Sequence, residues 1–141
     1  LARWREKAAA FGAENAVKGL VNGYCNAIRA HKKVRTLSHM YDGLLPLRTY
    51  TFDVDALGEK RCIELFEPLF AVMRDNEVRW ELTGGAVRFP GILRRADEMG
   101  VRFIATADAH FLDGGWGPFT HHDEAEAVID RLGLHRARVS L

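Results

Sequence analysis

Three observations predict an α/β fold built on parallel strands. Helical and strand-like patterns alternate along the whole chain. The helical stretches between strands run to roughly 10 to 20 residues, the length of a crossover rather than of a hairpin turn. Chemistry-bearing polar residues fall at the ends of consecutive strand-like runs, where open α/β sheets and β/α barrels keep their ligands. Three to four such units fit into the 141 residues, with right-handed crossovers expected. No repeat, low-complexity tract or linker interrupts them, so residues 1–141 read as one domain.

The first helix is expected from about Ala13 to Ala30, where Val17, Leu20, Val21, Tyr24 and Ile28 make one apolar stripe. A short β-like run, Val34 to Ser38, leads to His39, and a loop with breakers Gly43 and Pro46 reaches about Phe52. Asp53 or Asp55 is placed to cap a second helix running to about Arg74. Cys62, Leu65, Phe66, Leu69, Phe70 and Met73 form its buried face, the strongest periodic signal in the chain, and Pro68 should kink or divide it. Val78 to Leu82 is the next strand, stopped by Thr83-Gly84-Gly85. Pro90 suits a helix start, Ile92, Leu93, Ala96 and Met99 continue that helix, and Gly100 ends it. The run Arg102 to Ala107 is a third strand leading to Asp108-Ala109-His110. After a Gly- and aromatic-rich loop, Thr120-His121-His122-Asp123 has capping-box spacing. Ala125, Val128, Ile129 and Leu132 face that last helix inward, Gly133 closes it, and Ala137 to Leu141 is a candidate final strand.

Composition narrows the function classes. A formal net charge of +1 gives no bulk electrostatic case for nucleic acid or an anionic membrane, and the basic residues look scattered. Cys25 and Cys62 stand alone inside helical patterns, which reads as two buried free thiols in a reducing, cytoplasmic setting. No apolar stretch approaches the ~20 residues of a membrane span, and no signal peptide is visible, although the sequence begins at Leu1. Walker, Rossmann and Gly-x-Ser-x-Gly patterns are all missing from the sequence, which leaves nucleophilic hydrolase readings without a starting residue.

Asp108 and His110 are the sharpest candidates. Spacing i, i+2 on an extended strand points a carboxylate and an imidazole to one side, a donor pair that suits Zn, Mn or Fe. The competing reading is an N-cap Asp and a loop His. His39 is either a third ligand or a hydrogen-bonded core histidine. Asp42 could orient that imidazole or simply start the turn before Gly43. Glu81, flanked by Trp80 and Leu82 but facing away from both, must be paired if it points inward: as a ligand, a base, or an ion-pair partner of an Arg. His121 and His122 are adjacent on a helix and cannot readily chelate one ion; at a helix N-terminus they could donate to a phosphate, but the capping role of the segment accounts for them without a ligand and is the favoured reading. His31 and His135 read as surface residues.

Thr106-Ala107-Asp108-Ala109-His110, with Trp80-Glu81-Leu82-Thr83-Gly84-Gly85 and the Pro90 helix upstream, resembles the C-terminal part of the PHP superfamily of metal-dependent phosphoesterases, in its histidinol-phosphatase form. Leu37-Ser38-His39 looks like that family's middle His-bearing strand, and Phe52-Asp53-Val54-Asp55 is also similar, so the likeness spans roughly Val34 to Leu134. The resemblance implies a distorted, TIM-like β/α barrel of parallel strands with two or three divalent metals at its strand ends. It makes His39, Asp108 and His110 metal ligands, with Asp108 and His110 catalytic, and Glu81 and Asp42 supporting residues. The implied reaction is hydrolysis of a small phosphomonoester of the histidinol-phosphate type, the metals neutralising the phosphate oxygens.

Departures from the family pattern set the limits. Ala107 stands where Ser is common, Thr83 where Asn is common, and the family's opening His-x-His occurs nowhere in this sequence. Three ligands do not hold a multinuclear centre. The expectation is therefore the C-terminal portion of a barrel without its first strands, with weak metal binding and little turnover by itself. Two alternatives stand beside it: a non-catalytic PHP-like module, and a PHP phosphoesterase acting on nucleic acid, which the near-neutral charge disfavours. The expected partner is a small phosphorylated substrate, with neither nucleic acid nor membrane; the sequence fixes no oligomeric state.

Overall fold

The computed structural model describes residues 2–38, 40, 52, 54–85, 87–107 and 120–138. It is a mixed α/β chain, mostly helical, around a small parallel sheet. In chain order the elements are α1 (Ala2–Phe11), α2 (Ala13–Ala30), β1 (Thr36–Leu37), α3 (Val54–Asp75), β2 (Arg79–Leu82), α4 (Pro90–Glu98), β3 (Phe103–Ala105) and α5 (Thr120–Leu132). Helix α1 is an element the sequence pattern did not suggest. It is separated from α2 only by Gly12, whose φ of 80° lies in the left-handed region that glycine tolerates.

The strands pair in sequential order, β1-β2-β3, all parallel. Leu37 lies opposite Trp80, and Trp80 opposite Phe103, so each strand turns the same side toward the helices. Past α5 the chain returns to the sheet. Arg136 bridges Phe103 in parallel, with Phe103 N–H donating to His135 C=O at 3.0 Å and Ala137 N–H donating to Phe103 C=O at 2.8 Å. The last strand expected over Ala137–Leu141 is thus a single bridge one residue earlier, and residues 139–141 lie outside the described residues. Among the described residues the strands form an open sheet rather than a closed barrel.

One hydrophobic core joins the inner faces of α2 to α5 to Leu37, Trp80, Leu82 and Phe103. An aromatic row crosses it: Phe66 to Phe70 at 6.0 Å, Phe70 to Trp80 at 5.9 Å, and Trp80 to Phe103 at 5.8 Å between ring centres. All four rings are fully buried. Burial contributes about 1.5–3 kcal/mol per large side chain, and each ring pair adds about 0.5–1.5 kcal/mol. Trp80 Nε1 is buried with no acceptor among the described residues, the one polar cost in this row.

Helix α3 departs from expectation at its break. The backbone leaves helical geometry at Gly58 (φ 72°, ψ 162°), not at Pro68. Pro68 and Glu64 are both exposed, so the hydrogen bond that Pro68 cannot donate to Glu64 is lost on the solvent-facing side of the helix. Asp55 lies inside the first turn rather than at the cap and pairs with Arg88 at 3.1 Å, while Asp53 is outside the described residues. The predicted buried face of α3 is buried throughout. Two bridges tie the helices across this surface. Arg61 grips Glu14 of α2 through Nε at 3.2 Å and Nη2 at 2.7 Å, and Arg95 of α4 holds Glu67 at 2.8 Å.

Candidate functional site

Alternation along β2 positions Glu81. Trp80 and Leu82 point into the core, so Arg79 and Glu81 occupy the opposite, half-buried side of the strand. Glu81 is in register with Ile104, and the ladder continues past β3, with Thr106 N–H donating to Leu82 C=O at 2.9 Å. That continuation carries the Thr106 hydroxyl to Glu81, where it donates to Oε1 at 2.6 Å. A hydroxyl-to-carboxylate bond this short is charge-assisted and fixes the carboxylate. Among the described residues no Lys or Arg pairs with Glu81, and its second oxygen has no hydrogen-bond partner.

A second polar group sits just beyond β2. Gly85 N–H donates to Glu124 Oε2 at 3.2 Å, and the same oxygen lies 3.2 Å from His121 Nδ1. A Cβ on Gly84 would stand 3.5 Å from that imidazole, and one on Gly85 would stand 3.2 Å from Glu124 Cβ. The glycine pair lets the start of α5 approach the strand end this closely. Gly84 also has φ 135°, which a side chain rarely adopts. His122 turns elsewhere, toward Asp123 and Glu126, so the two neighbouring imidazoles do not share a ligand position.

Of the residues proposed from sequence, His39, Asp42, Asp108 and His110 lie outside the described residues. The described chain stops beside them, at Ser38 past β1 and at Ala107 past β3. The structure brings Glu81 and Thr106 together and sets His121 and Glu124 against the same end of β2. Thr106 and Glu124 carry no site role in the sequence reading, and His121 is there set down to capping. Thr106 would follow from the strand register, whereas nothing in the local pattern signals the packing of α5 on Gly84.

The two cysteines are free and buried. Burial raises both thiol pKa values, and for Cys62 the nearby Asp55 and Glu59 raise it further. Neither thiol is poised as a nucleophile. His135, read as a surface residue, is exposed, but its Nδ1 lies 2.8 Å from Asp97 Oδ2 and its N–H donates to Oδ1 of the same residue at 2.8 Å.

As a metal site, the described residues supply one fitting donor, the Glu81 carboxylate, with one oxygen anchored and the other open. Among them no three His, Cys, Asp or Glu side chains converge. Among the described residues no helix is long and apolar enough to cross a membrane. No family model, curated protein or solved structure matches this chain.

Proposed function

We propose that this chain forms part of a β/α barrel whose strand carboxyl ends hold divalent metal and hydrolyse a small phosphomonoester, with His39, Asp108 and His110 as ligands. The observation that carries this reading is Glu81 anchored by Thr106 at 2.6 Å, at the carboxyl end of sequential parallel strands. Strand order 1-2-3 with a helix between each pair is the order a β/α barrel uses, and the return of Arg136 to the edge of β3 extends it. When bound, the metal supplies Lewis-acid neutralisation of phosphoryl oxygens. The chain's own residues have distinct tasks. Thr106 orients Glu81, which would join the proposed ligands at the carboxyl ends of the strands.

With no His-x-His in the sequence, the ligand set of this chain falls short of a multinuclear centre. The chain alone is expected to bind Mn²⁺ or Zn²⁺ weakly and to turn over p-nitrophenyl phosphate or histidinol phosphate slowly. Equilibrium dialysis with Mn²⁺ tests the first part. Asp108→Asn and His110→Ala should each weaken binding by about tenfold or more. Absence of Mn²⁺ binding, or binding indifferent to both substitutions, contradicts the proposal; turnover at the rate of a complete phosphatase contradicts the shortage of ligands.

A further inference from the structure

The opposite end of the sheet carries a different chemistry. A cleft of about 370 Å³ opens at the amino ends of the strands, lined by Arg35, Arg74, Arg79, Arg102 and Arg138, with Glu77 as the one carboxylate side chain among the described lining residues. These arginines come from separate stretches of sequence and are gathered by strand pairing. Arg35 precedes β1, Arg79 opens β2 and Arg102 precedes β3, with Arg79 N–H bonded to Arg35 C=O and Trp80 N–H to Arg102 C=O. Basic residues that look scattered along the chain are concentrated here.

Among the described arginines outside the cleft, several are held by two carboxylates each, whereas Arg29, Arg94 and Arg131 stand singly on exposed helix faces. Arg61 holds Glu14 and Glu64, Arg95 holds Glu67 and Glu98, and Arg136 holds Glu126 and Asp130. In the cleft the pairing fails. Arg35 bonds only the Lys32 and Val34 carbonyls, Arg74 has its neighbour Asp75, and Arg102 stands 3.7 Å from an Asp97 already committed to His135. Arg79 and Arg138 have no carboxylate partner among the described residues. The carboxyl ends of α3 and α4 also face this cleft, and each brings roughly half a negative charge. That and Glu77 together do not balance the guanidiniums of Arg35, Arg79 and Arg138.

We propose that this cleft binds a small, phosphate-rich anion. A guanidinium fork matches two phosphoryl oxygens at once, and several forks around one concavity suit a ligand with more than one phosphate. The volume is that of a small-molecule site. Among the described residues no aromatic side chain lines it, so they offer no platform for stacking bases, which favours a small polyphosphate over nucleic acid. The site is separate from the carboxyl-end metal centre and does not depend on it.

Tripolyphosphate is the probe, titrated calorimetrically into the 141-residue chain in low-salt buffer with EDTA, so that metal at the other end contributes nothing. Arg79→Gln and Arg138→Gln should each weaken binding about tenfold, the loss of a charged hydrogen-bond donor. Glu77→Gln should tighten it, a gain that misfolding cannot mimic, and Arg94→Gln on the exposed side of α4 should leave it unchanged. Absence of tripolyphosphate binding at millimolar concentration overturns the proposal. So does equal weakening by Arg94→Gln, or tighter binding of a single-stranded oligonucleotide of equal phosphate count.

Discussion

The two ends of one short parallel sheet are chemically opposed. At the carboxyl end the described side chains are acceptors and an imidazole: Glu81 held by Thr106, and Glu124 shared between Gly85 N–H and His121. At the amino end, among the described lining residues, five arginines face one carboxylate. The polarity of a parallel sheet explains how a chain of net charge +1 reaches this arrangement. With every strand running the same way, residues that precede strands collect at one end and residues that follow them collect at the other. Arg79 and Glu81 make the contrast within a single strand, two residues apart on the same side.

The largest expected effect removes the frame both ends share. Trp80 lies in the aromatic row between Phe70 and Phe103, fully buried. Trp80→Ala should cost about 3–5 kcal/mol in chemical denaturation and weaken ligand binding at both ends together. Trp80→Phe should cost far less, about 1 kcal/mol, because it keeps a ring in the row and removes an indole N–H that has no acceptor among the described residues.

Separating the ends is the sharper experiment. Glu81→Gln should reduce Mn²⁺ affinity about tenfold or more and leave tripolyphosphate binding within error of the parent. Arg79→Gln should do the reverse. Thr106→Val keeps the shape and removes the hydroxyl that orients Glu81, so it should lower Mn²⁺ affinity in the same direction as Glu81→Gln but less. Equal effects of all three on both ligands would dissolve the distinction between the ends.

The smallest effect belongs to neither end. Arg61, and then Lys18, hold the Glu14 carboxyl well below its ordinary value of 4.5, to about 2. A depressed carboxyl stabilises the fold above its unfolded value, and that contribution is lost as pH falls from about 4.5 through about 2. In melting curves Glu14→Gln should lower stability slightly at neutral pH, and the difference from the parent should vanish near pH 2. Both ligand affinities at neutral pH should stay unchanged.

Periodicity made the helical part of this fold legible. The stripe of Val17, Val21 and Ile28 and the face of Cys62, Leu65, Phe66, Leu69, Phe70 and Met73 are buried as their spacing requires. Pro90 and Gly100 bracket α4 as expected, with Gly100 at φ 96°. What failed to read out depends on partners distant in sequence. Gly58 breaks α3 while Pro68 is absorbed, because the solvent exposure around Pro68 decides the cost and local propensity does not register it. The Glu81–Thr106 bond and the arginine cleft both follow from strand register, which no single strand encodes.

The central claim is that the strand carboxyl ends hold a divalent metal. Titration of the chain with Co²⁺, followed by its visible d–d absorption, tests it most directly. The account predicts bands that rise with Co²⁺ in the parent and are lost or shifted about tenfold to higher concentration in Asp108→Asn. Identical Co²⁺ titrations of the parent and Asp108→Asn, or no bands in either, would contradict it.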